Sequence, residues 1–209
     1  MVKIKAIIFD MDGVLVDARD WHYESLNKSL ALFGEKITIQ EHLSYFDGLP
    51  TKEKLNIITE RRNLPNGLHP FINEMKQKYT MQIIEKKASP TFQHEYALSN
   101  LFKKGYKIAV ASNSIRNTVD VLMDKCALKQ YLEFFLSNED VKKGKPDPEI
   151  YNKAISKLGF DPSECLIVED NEHGIKSAKA SGANVLKVAN PSVVTLDKIT
   201  EFINELEKQ

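Results

Sequence analysis

Acidic side chains occur in two close pairs, and paired carboxylates can bind a metal ion or attack an electrophilic atom. Asp10 and Asp12 follow the apolar run Ile4–Phe9. Glu169 and Asp170 follow a second apolar run later in the chain. Neighbouring carboxylates repel one another unless a cation offsets their charge, and Mg²⁺ prefers carboxylate, water and phosphate oxygens. If the fold brings the two pairs together, the sequence indicates a magnesium site.

Each acidic pair also has a purely structural explanation. Asp followed by Gly is common in the turn after a strand, which covers Asp10 and Asp12. An acid at the start of a helix is stabilised by capping and by the helix dipole, which covers Glu169 or Asp170. These explanations treat each pair by itself, and they account less readily for both pairs in one chain.

Two other segments carry groups that suit a bound anion. Ser112, Asn113 and Ser114 follow the apolar run Lys107–Ala111, at the expected start of a helix. Small polar side chains and backbone N–H groups in this position bind anions, although they also serve as simple helix caps. Lys145 precedes Pro146 in a loop that holds two prolines. Because proline restricts the backbone, the loop can hold one ammonium group against a carboxylate and a phosphate.

The elements that position these groups alternate in type. Short apolar runs predict buried strands of a parallel sheet. These runs are Ile4–Phe9, Lys107–Ala111, Phe134–Ser137, Cys165–Val168 and Asn184–Val188. Helical patterns separate several of them, at Asn117–Ala127, Glu149–Leu158 and Glu172–Ser181. The alternation predicts an α/β fold with a Rossmann-like, doubly wound parallel sheet, whose ligands bind at the carboxyl ends of the strands.

Residues 18–88 have a different pattern, which predicts a helical domain inserted after the first strand. Apolar residues recur at helical spacing in two stretches, Leu26, Leu30 and Phe33, and then Phe71, Met75, Tyr79 and Ile83. Thr38 with Glu41 has the spacing of a capping box. We therefore expect a core domain of residues 1–17 and 89–209 and a helical cap domain of residues 18–88.

Composition excludes several classes of protein. The 209 residues contain 29 Lys and Arg and 29 Asp and Glu, so the formal net charge is zero with His neutral. Electrostatic binding to nucleic acid or to an anionic membrane is therefore not expected. Two cysteines cannot form a disulfide framework, and the longest apolar runs are far too short to span a membrane. The five histidines form no zinc motif. These features predict a cytoplasmic protein.

Taken together, the polar segments resemble a known family. They are Asp10-Met11-Asp12-Gly13-Val14, Ser112, Lys145-Pro146 and Glu169-Asp170. In this order they look like the four motifs of the haloacid dehalogenase (HAD) superfamily of phosphotransferases. The inserted helices resemble its type-1 cap, as in the β-phosphoglucomutase and phosphoglycolate phosphatase group. Dehalogenases of the superfamily lack the acid at the position of Asp12, so the resemblance implies phosphoryl transfer.

The resemblance implies a role for each motif residue. Asp10 is the expected nucleophile, which forms an aspartyl-phosphate, and Asp12 is the expected general acid and base. Mg²⁺ is expected on Asp10, on the backbone carbonyl of Asp12 and on Asp170, with Glu169 close by or acting through water. Phosphate binding falls to Ser112, the backbone N–H of Asn113, and Lys145, which bridges Asp10 and the phosphate.

Substrate choice is expected to lie in the cap. Its candidate contacts are His22, Thr51, Lys52, Lys54 and the aromatic residues Trp21, Tyr23, Tyr45 and Phe46. Most of these aromatic residues also suit the hydrophobic core of the cap. We expect a phosphatase that acts on a small phosphorylated metabolite, a sugar or polyol phosphate, with no nucleic-acid or membrane partner and as a monomer. A β-phosphoglucomutase-like mutase is the first alternative, although Thr51 stands where that mutase carries Arg. A non-catalytic metabolite-binding protein is the second alternative, because a fold does not by itself confer an activity.

Overall fold

A five-stranded parallel sheet is the central element of the computed structural model, which describes residues 3–208. The strands are β1 (Ala6–Phe9), β2 (Lys107–Ala111), β3 (Phe134–Leu136), β4 (Cys165–Glu169) and β5 (Asn184–Lys187). Every neighbouring pair is parallel, in the order β3-β2-β1-β4-β5. The predicted α/β fold with a parallel sheet is confirmed.

The position of β1 in the sheet decides which residues meet at its edge. Phe9, the last residue of β1, pairs with Val110 of β2 and with Val168 of β4. The backbone N–H of Asp10 then donates to the carbonyl of Val168 at 3.0 Å. All four residues of β1 are buried, as expected for a strand covered on both faces. Segments that follow β1, β2 and β4 therefore leave the sheet side by side.

The helices of the described residues surround this sheet or form the insertion. In chain order they are α1 (Arg19–Ala31), α2 (Ile39–Glu41), α3 (Thr51–Arg62), α4 (His69–Lys87), α5 (Phe92–Lys103), α6 (Arg116–Lys125), α7 (Glu149–Leu158), α8 (Glu172–Ala180) and α9 (Leu196–Glu207). A π-helical turn, His42–Phe46, follows α2 directly. Each of these helices is too short or too polar to cross a lipid bilayer.

The chain divides into two compact units, which we call the core unit and the helical unit. The core unit comprises Met1–Asp17 and Ser89–Gln209, and the helical unit comprises Ala18–Ala88. In the core unit, α7 buries Ile150, Tyr151 and Ala154 against residues of the sheet. The helical unit has its own apolar cluster, made of Leu26, Leu30, Ile37, Phe46, Leu55, Ile58, Leu64 and Ile72. Each unit thus has the separate core expected of a domain.

The helix predicted from Phe71, Met75, Tyr79 and Ile83 is present as α4. Of these four residues Ile83 is buried, whereas Phe71 is 48% exposed. The buried residues of α4 are Ile72, Lys76, Thr80, Ile83 and Ile84. Two of these are polar and find partners on α1: Thr80 Oγ1 donates to Ser25 Oγ at 2.9 Å, and Lys76 lies against His22. A pattern based on apolar residues cannot detect such a face.

Candidate active site

The turn after β1 brings the two acidic pairs together. Gly13 has a φ of 88°, a left-handed conformation that disfavours other residues. A Cβ on Gly13 would lie 2.1 Å from Oδ2 of Asp170. The backbone that follows Asp12 is therefore pressed against the acid that follows β4. Glycine is required here both for its conformation and for its lack of a side chain.

Lys145 is buried at the centre of the site, and its ammonium group has three oxygen partners. Nζ lies 2.5 Å from Oδ1 of Asp10 and 2.7 Å from Oε1 of Glu169. It also donates to the backbone carbonyl of Ala111 at 2.9 Å. Because Asp10 follows β1, Ala111 ends β2 and Glu169 ends β4, one ammonium group connects the ends of three neighbouring strands.

Glu169 is fully engaged by hydrogen-bond donors. Its Oε1 accepts from Lys145 and, at 2.6 Å, from the hydroxyl of Tyr151. Its Oε2 accepts from the backbone N–H groups of Asp170 and Asn171 at 3.0 and 3.3 Å. A carboxylate offers about four lone-pair sites, so these donors occupy all of them. Gly174 in α8 makes room for this arrangement, because a Cβ there would lie 1.8 Å from Oε1 of Glu169.

Asn113 holds the backbone of the lysine loop. Its Oδ1 accepts from the backbone N–H of Lys145 at 3.0 Å, and its Nδ2 donates to the carbonyl of the same residue at 3.4 Å. The side chain therefore connects the segment after β2 to the loop that carries Lys145. The sequence analysis assigns Asn113 to phosphate binding through its backbone N–H, and the structure adds this separate contact of its side chain.

Asp12 contacts the hydroxyl groups that follow β2. Ser114 Oγ donates to Oδ2 of Asp12 at 2.8 Å, and Ser112 Oγ lies 3.5 Å from the same oxygen. Ser112 is fully buried, and its Oγ accepts from the backbone N–H of Ser114 at 3.0 Å. These serines do not cap the next helix, because α6 has Ile115 as its N-cap and no side-chain cap. They instead orient the carboxylate of Asp12.

Burial dominates the electrostatics of the site. It raises the pKa of Asp10 well above its ordinary value; Lys145 opposes this shift, while Glu169 and the other acids of the site add to it. Burial alone disfavours the charged form of Lys145, but the carboxylates of Asp10 and Glu169 outweigh it and raise the pKa of this lysine. Burial also raises the pKa of Tyr151 well above its ordinary value, so its hydroxyl keeps the proton that it donates. The site holds more carboxylates than Lys145 can neutralise.

A divalent cation fits this excess of negative charge. Asp10, Glu169 and Asp170 each place a carboxylate oxygen within 4.8 Å of the others. Hard oxygen ligands in such a group suit Mg²⁺. Because the oxygens of Glu169 already accept hydrogen bonds from four donors, Asp10 and Asp170 are the better candidates for direct ligation.

The candidate residues of the helical unit differ in exposure. His22 is half-buried, and its Nδ1 lies 3.3 Å from Nζ of Lys76. Thr51, the first residue of α3, is half-buried, and Lys52 is exposed. Lys54, two residues further on, is buried with 7% of its surface exposed.

Two residues of the core site, Tyr151 and Gly174, are absent from the sequence analysis. Ser114 belongs to the segment that the sequence analysis assigns to a possible anion site, but its contact with Asp12 was not predicted. Gly174 lies within a few residues of the predicted motif Glu169-Asp170. Tyr151 gives no such signal, because an aromatic residue on the inner face of a helix is ordinarily part of a hydrophobic core.

The fold and the site together define a class: a parallel α/β protein whose acids and lysine meet at the carboxyl ends of neighbouring strands. The family model described as "Haloacid dehalogenase-like hydrolase" matches residues 7–188. Because the match covers most of the 209 residues, the chain belongs to the haloacid dehalogenase-like hydrolase family. The predicted family is confirmed.

Individual relatives share most of their length with this chain. A protein of Thermotoga maritima named "Phosphorylated carbohydrates phosphatase" is 29% identical over 182 residues, which cover 86% of this chain and 82% of that protein. The "Pyrophosphatase PpaX" of Bacillus velezensis is 28% identical over 190 residues, 90% of this chain and 84% of that protein. The crystal structure of β-phosphoglucomutase from Clostridium difficile has a TM-score of 0.84 at 23% identity, covering 99% of this chain and 100% of the other. At this identity the structural likeness concerns the fold.

Proposed function

We propose that this protein is a Mg²⁺-dependent phosphatase that hydrolyses a small phosphorylated metabolite through an aspartyl-phosphate intermediate. The observation that carries the proposal is the contact of Lys145 Nζ with Oδ1 of Asp10 at 2.5 Å inside a buried site. A buried carboxylate held by one ammonium group has a fixed orientation, and a nucleophile must have one. The relatives named as phosphatases support the same activity.

In the first half of the proposed reaction, a carboxylate oxygen of Asp10 attacks phosphorus. The bond between phosphorus and the leaving oxygen breaks, and Asp12 gives a proton to that oxygen. Lys145 keeps the Asp10 carboxylate in place and offsets negative charge on the phosphoryl group. Ser112 and the backbone N–H of Asn113 are proposed to bind the phosphoryl oxygens.

In the second half, water attacks the phosphorus of the aspartyl-phosphate. Asp12, now deprotonated, accepts a proton from that water, and the Asp10 carboxylate leaves as phosphate is released. The hydrogen bond from Ser114 to Asp12 holds the carboxylate that moves the proton in both halves. The two steps consume one water and return every side chain to its starting state.

The residues fit a bound Mg²⁺, with Asp10, Asp170 and the backbone carbonyl of Asp12 as its proposed ligands. When bound, Mg²⁺ orients the phosphoryl group and screens its charge from the attacking carboxylate. Glu169 is proposed to act mainly on Lys145, since its oxygens already accept hydrogen bonds from four donors.

The proposed substrate is a sugar or polyol phosphate. The relative named for phosphorylated carbohydrates supports this class. The helical unit is proposed to act as a cap that selects the substrate and excludes bulk water, with a cytoplasmic location as predicted from the composition. His22, Thr51, Lys52 and Lys54 are its proposed contacts; of these, Lys54 is buried and Lys52 is exposed.

The test is phosphate release from a panel of sugar, polyol and short-acid phosphates, with and without Mg²⁺. We expect wild type to release phosphate, and Asp10→Asn or a chelator to abolish the release. Asp197→Asn is the matched control, since Asp197 is an exposed acid at the start of α9. An acid-stable phosphorylated protein that hydroxylamine cleaves, formed by wild type and not by Asp10→Asn, identifies the acyl phosphate.

Two results would contradict the proposal. Release that persists in a folded Asp10→Asn variant would exclude the aspartyl-phosphate. No release from any compound of the panel would reject the phosphatase, and β-glucose 1-phosphate with a bisphosphate primer would then test the mutase.

A further inference from the structure

Tyr151 is a buried tyrosine that contacts the ammonium group of the core site in two ways. Its ring lies under Nζ of Lys145, with 4.7 Å between that atom and the ring centroid. Its hydroxyl donates to Oε1 of Glu169 at 2.6 Å, and the same oxygen accepts from Lys145 at 2.7 Å. Tyr151 is fully buried, and Lys145 and Glu169 are only 4% and 1% exposed. Protein groups rather than bulk water therefore surround this ammonium group.

The ring of Tyr151 holds the ammonium group through its charge. Nζ of Lys145 has three N–H donors, and all of them point to oxygens, which belong to Asp10, Glu169 and Ala111. A further group can therefore attract this cation only electrostatically. The face of an aromatic ring is negative and attracts cations, and the attraction is largest where water is excluded. The ring thus adds a contact that the three oxygens do not supply.

Packing keeps the ring of Tyr151 in place. Tyr151 is the third residue of α7, and it is buried against the sheet together with its helix neighbours Ile150, Ala154 and Ile155. Side chains in such close packing stay in one rotamer. A phenylalanine would fill the same space, so packing alone does not explain the hydroxyl. A buried hydroxyl costs free energy unless it has a partner, and Glu169 provides that partner.

We infer that Tyr151 is a positioning residue of the proposed reaction. Its ring face keeps Nζ of Lys145 against the nucleophile Asp10, and its hydroxyl keeps Oε1 of Glu169 where the same ammonium group donates. The inference rests on the proposed function for the reaction that Tyr151 serves. Because a weaker ring contact leaves the charge of Lys145 unchanged and disturbs only its position, kcat should fall while KM stays nearly constant.

Fluorinated phenylalanines in place of Tyr151 test the ring contact. Each fluorine withdraws electrons from the face of the ring and so weakens its attraction for a cation, while the shape of the ring changes little. Tyr151→Phe is the reference, and mono-, di- and trifluorinated phenylalanine follow it. For the best substrate of the panel, we expect kcat to fall stepwise by about tenfold over the series, with KM changing by less than about threefold.

Phe134 provides the matched control, because its ring lies under Nζ of Lys157 with 4.2 Å to the ring centroid. Phe134 is the first residue of β3, so it lies at the edge of the sheet opposite to the site. The same fluorinated residues in place of Phe134 should leave kcat unchanged. A constant kcat in the Tyr151 series, or an equal loss in both series, would overturn the inference and leave the phosphatase standing.

A second measurement requires no turnover. The Tm of the Tyr151 series is recorded with Lys145 present and in the Lys145→Met and Lys145→Gln backgrounds, which both remove the charge. Effects of fluorine on packing are common to all backgrounds, so we expect the stepwise fall in Tm only with Lys145 present.

The same course of Tm in every background would show that Tyr151 is ordinary core packing. That result would overturn the inference whether or not phosphatase activity is found. A panel without any phosphate release would instead reject the proposed function, and the Tm comparison would still measure the contact between the ring and Lys145.

Discussion

Replacement of Gly174 by alanine has two opposite effects on the stability of the protein. Gly174 lies in the first turn of α8 and has no left-handed φ. Considered locally, alanine is the better helix former by up to about 1 kcal/mol, which predicts a more stable protein. The added Cβ, however, would lie 1.8 Å from Oε1 and 2.3 Å from Oε2 of Glu169. The carboxylate must move if the helix stays in place.

The size of the effect follows from what Glu169 would lose. Its carboxylate accepts four hydrogen bonds, and a hydrogen bond to a charged group contributes about 1.5–3 kcal/mol. Losing two of them, less the gain in helix propensity, destabilises the protein by about 2–5 kcal/mol. For a protein of this length we expect Tm to fall by roughly 4–20 °C. Because Lys145 loses one of its three oxygen partners, kcat should also fall about tenfold or more.

Thermal unfolding and phosphate release by Gly174→Ala test this reasoning. Gly67→Ala is the matched control, because a Cβ on Gly67 meets nothing within 4 Å and its φ is not left-handed. That variant should keep wild-type activity. A Gly174→Ala protein with a raised Tm and an unchanged kcat would refute the idea that close packing against Glu169 holds the site.

Three further substitutions test contacts within the core unit and burial within the helical unit. Tyr151→Phe removes the hydroxyl that donates to Glu169 at 2.6 Å; we expect a loss of about 1–3 kcal/mol in unfolding free energy by urea titration, and an unchanged value would contradict the contact. Asn113→Ala removes the side chain that holds the Lys145 backbone but keeps its own N–H, so kcat should fall about tenfold with little change in KM; a change confined to KM would point to a role in binding alone. In the folded protein the pKa of His42 is lowered to about 4, whereas in the unfolded chain it is about 6.5. Between these two pH values the unfolded chain binds a proton that the folded protein does not bind. The free energy of unfolding therefore falls as the pH falls. Between pH 7 and pH 5, the free energy of unfolding should fall by about 1–2 kcal/mol more for wild type than for His42→Gln. Equal losses for the two proteins, measured by urea titration at both pH values, would refute this.

The core of the fold could be predicted because its signals are local. Each strand is a short apolar run with turn residues after it, and the predicted ends of Lys107–Ala111 agree with β2. The capping box at Thr38 and Glu41 is present, because both groups lie within one turn. Helices α5 and α9 are absent from the sequence analysis, as is the polar inner face of α4. Lys76 and Thr80 belong to that face because groups on α1 satisfy them, and such a partner is invisible in the pattern of α4 alone.

By itself the sequence determined which acids, serines and lysine follow the ends of the strands, since strand position and motif spacing are properties of short segments. Only the tertiary structure decided which of these groups contact one another and which are buried. It assigns the oxygens of Glu169 to Lys145, Tyr151 and two backbone N–H groups, and it buries Lys54 while leaving Lys52 exposed. Hydrogen bonds and charges act over a few ångströms between residues that are far apart in the chain. Their partners are therefore fixed only when the sheet and helices have packed.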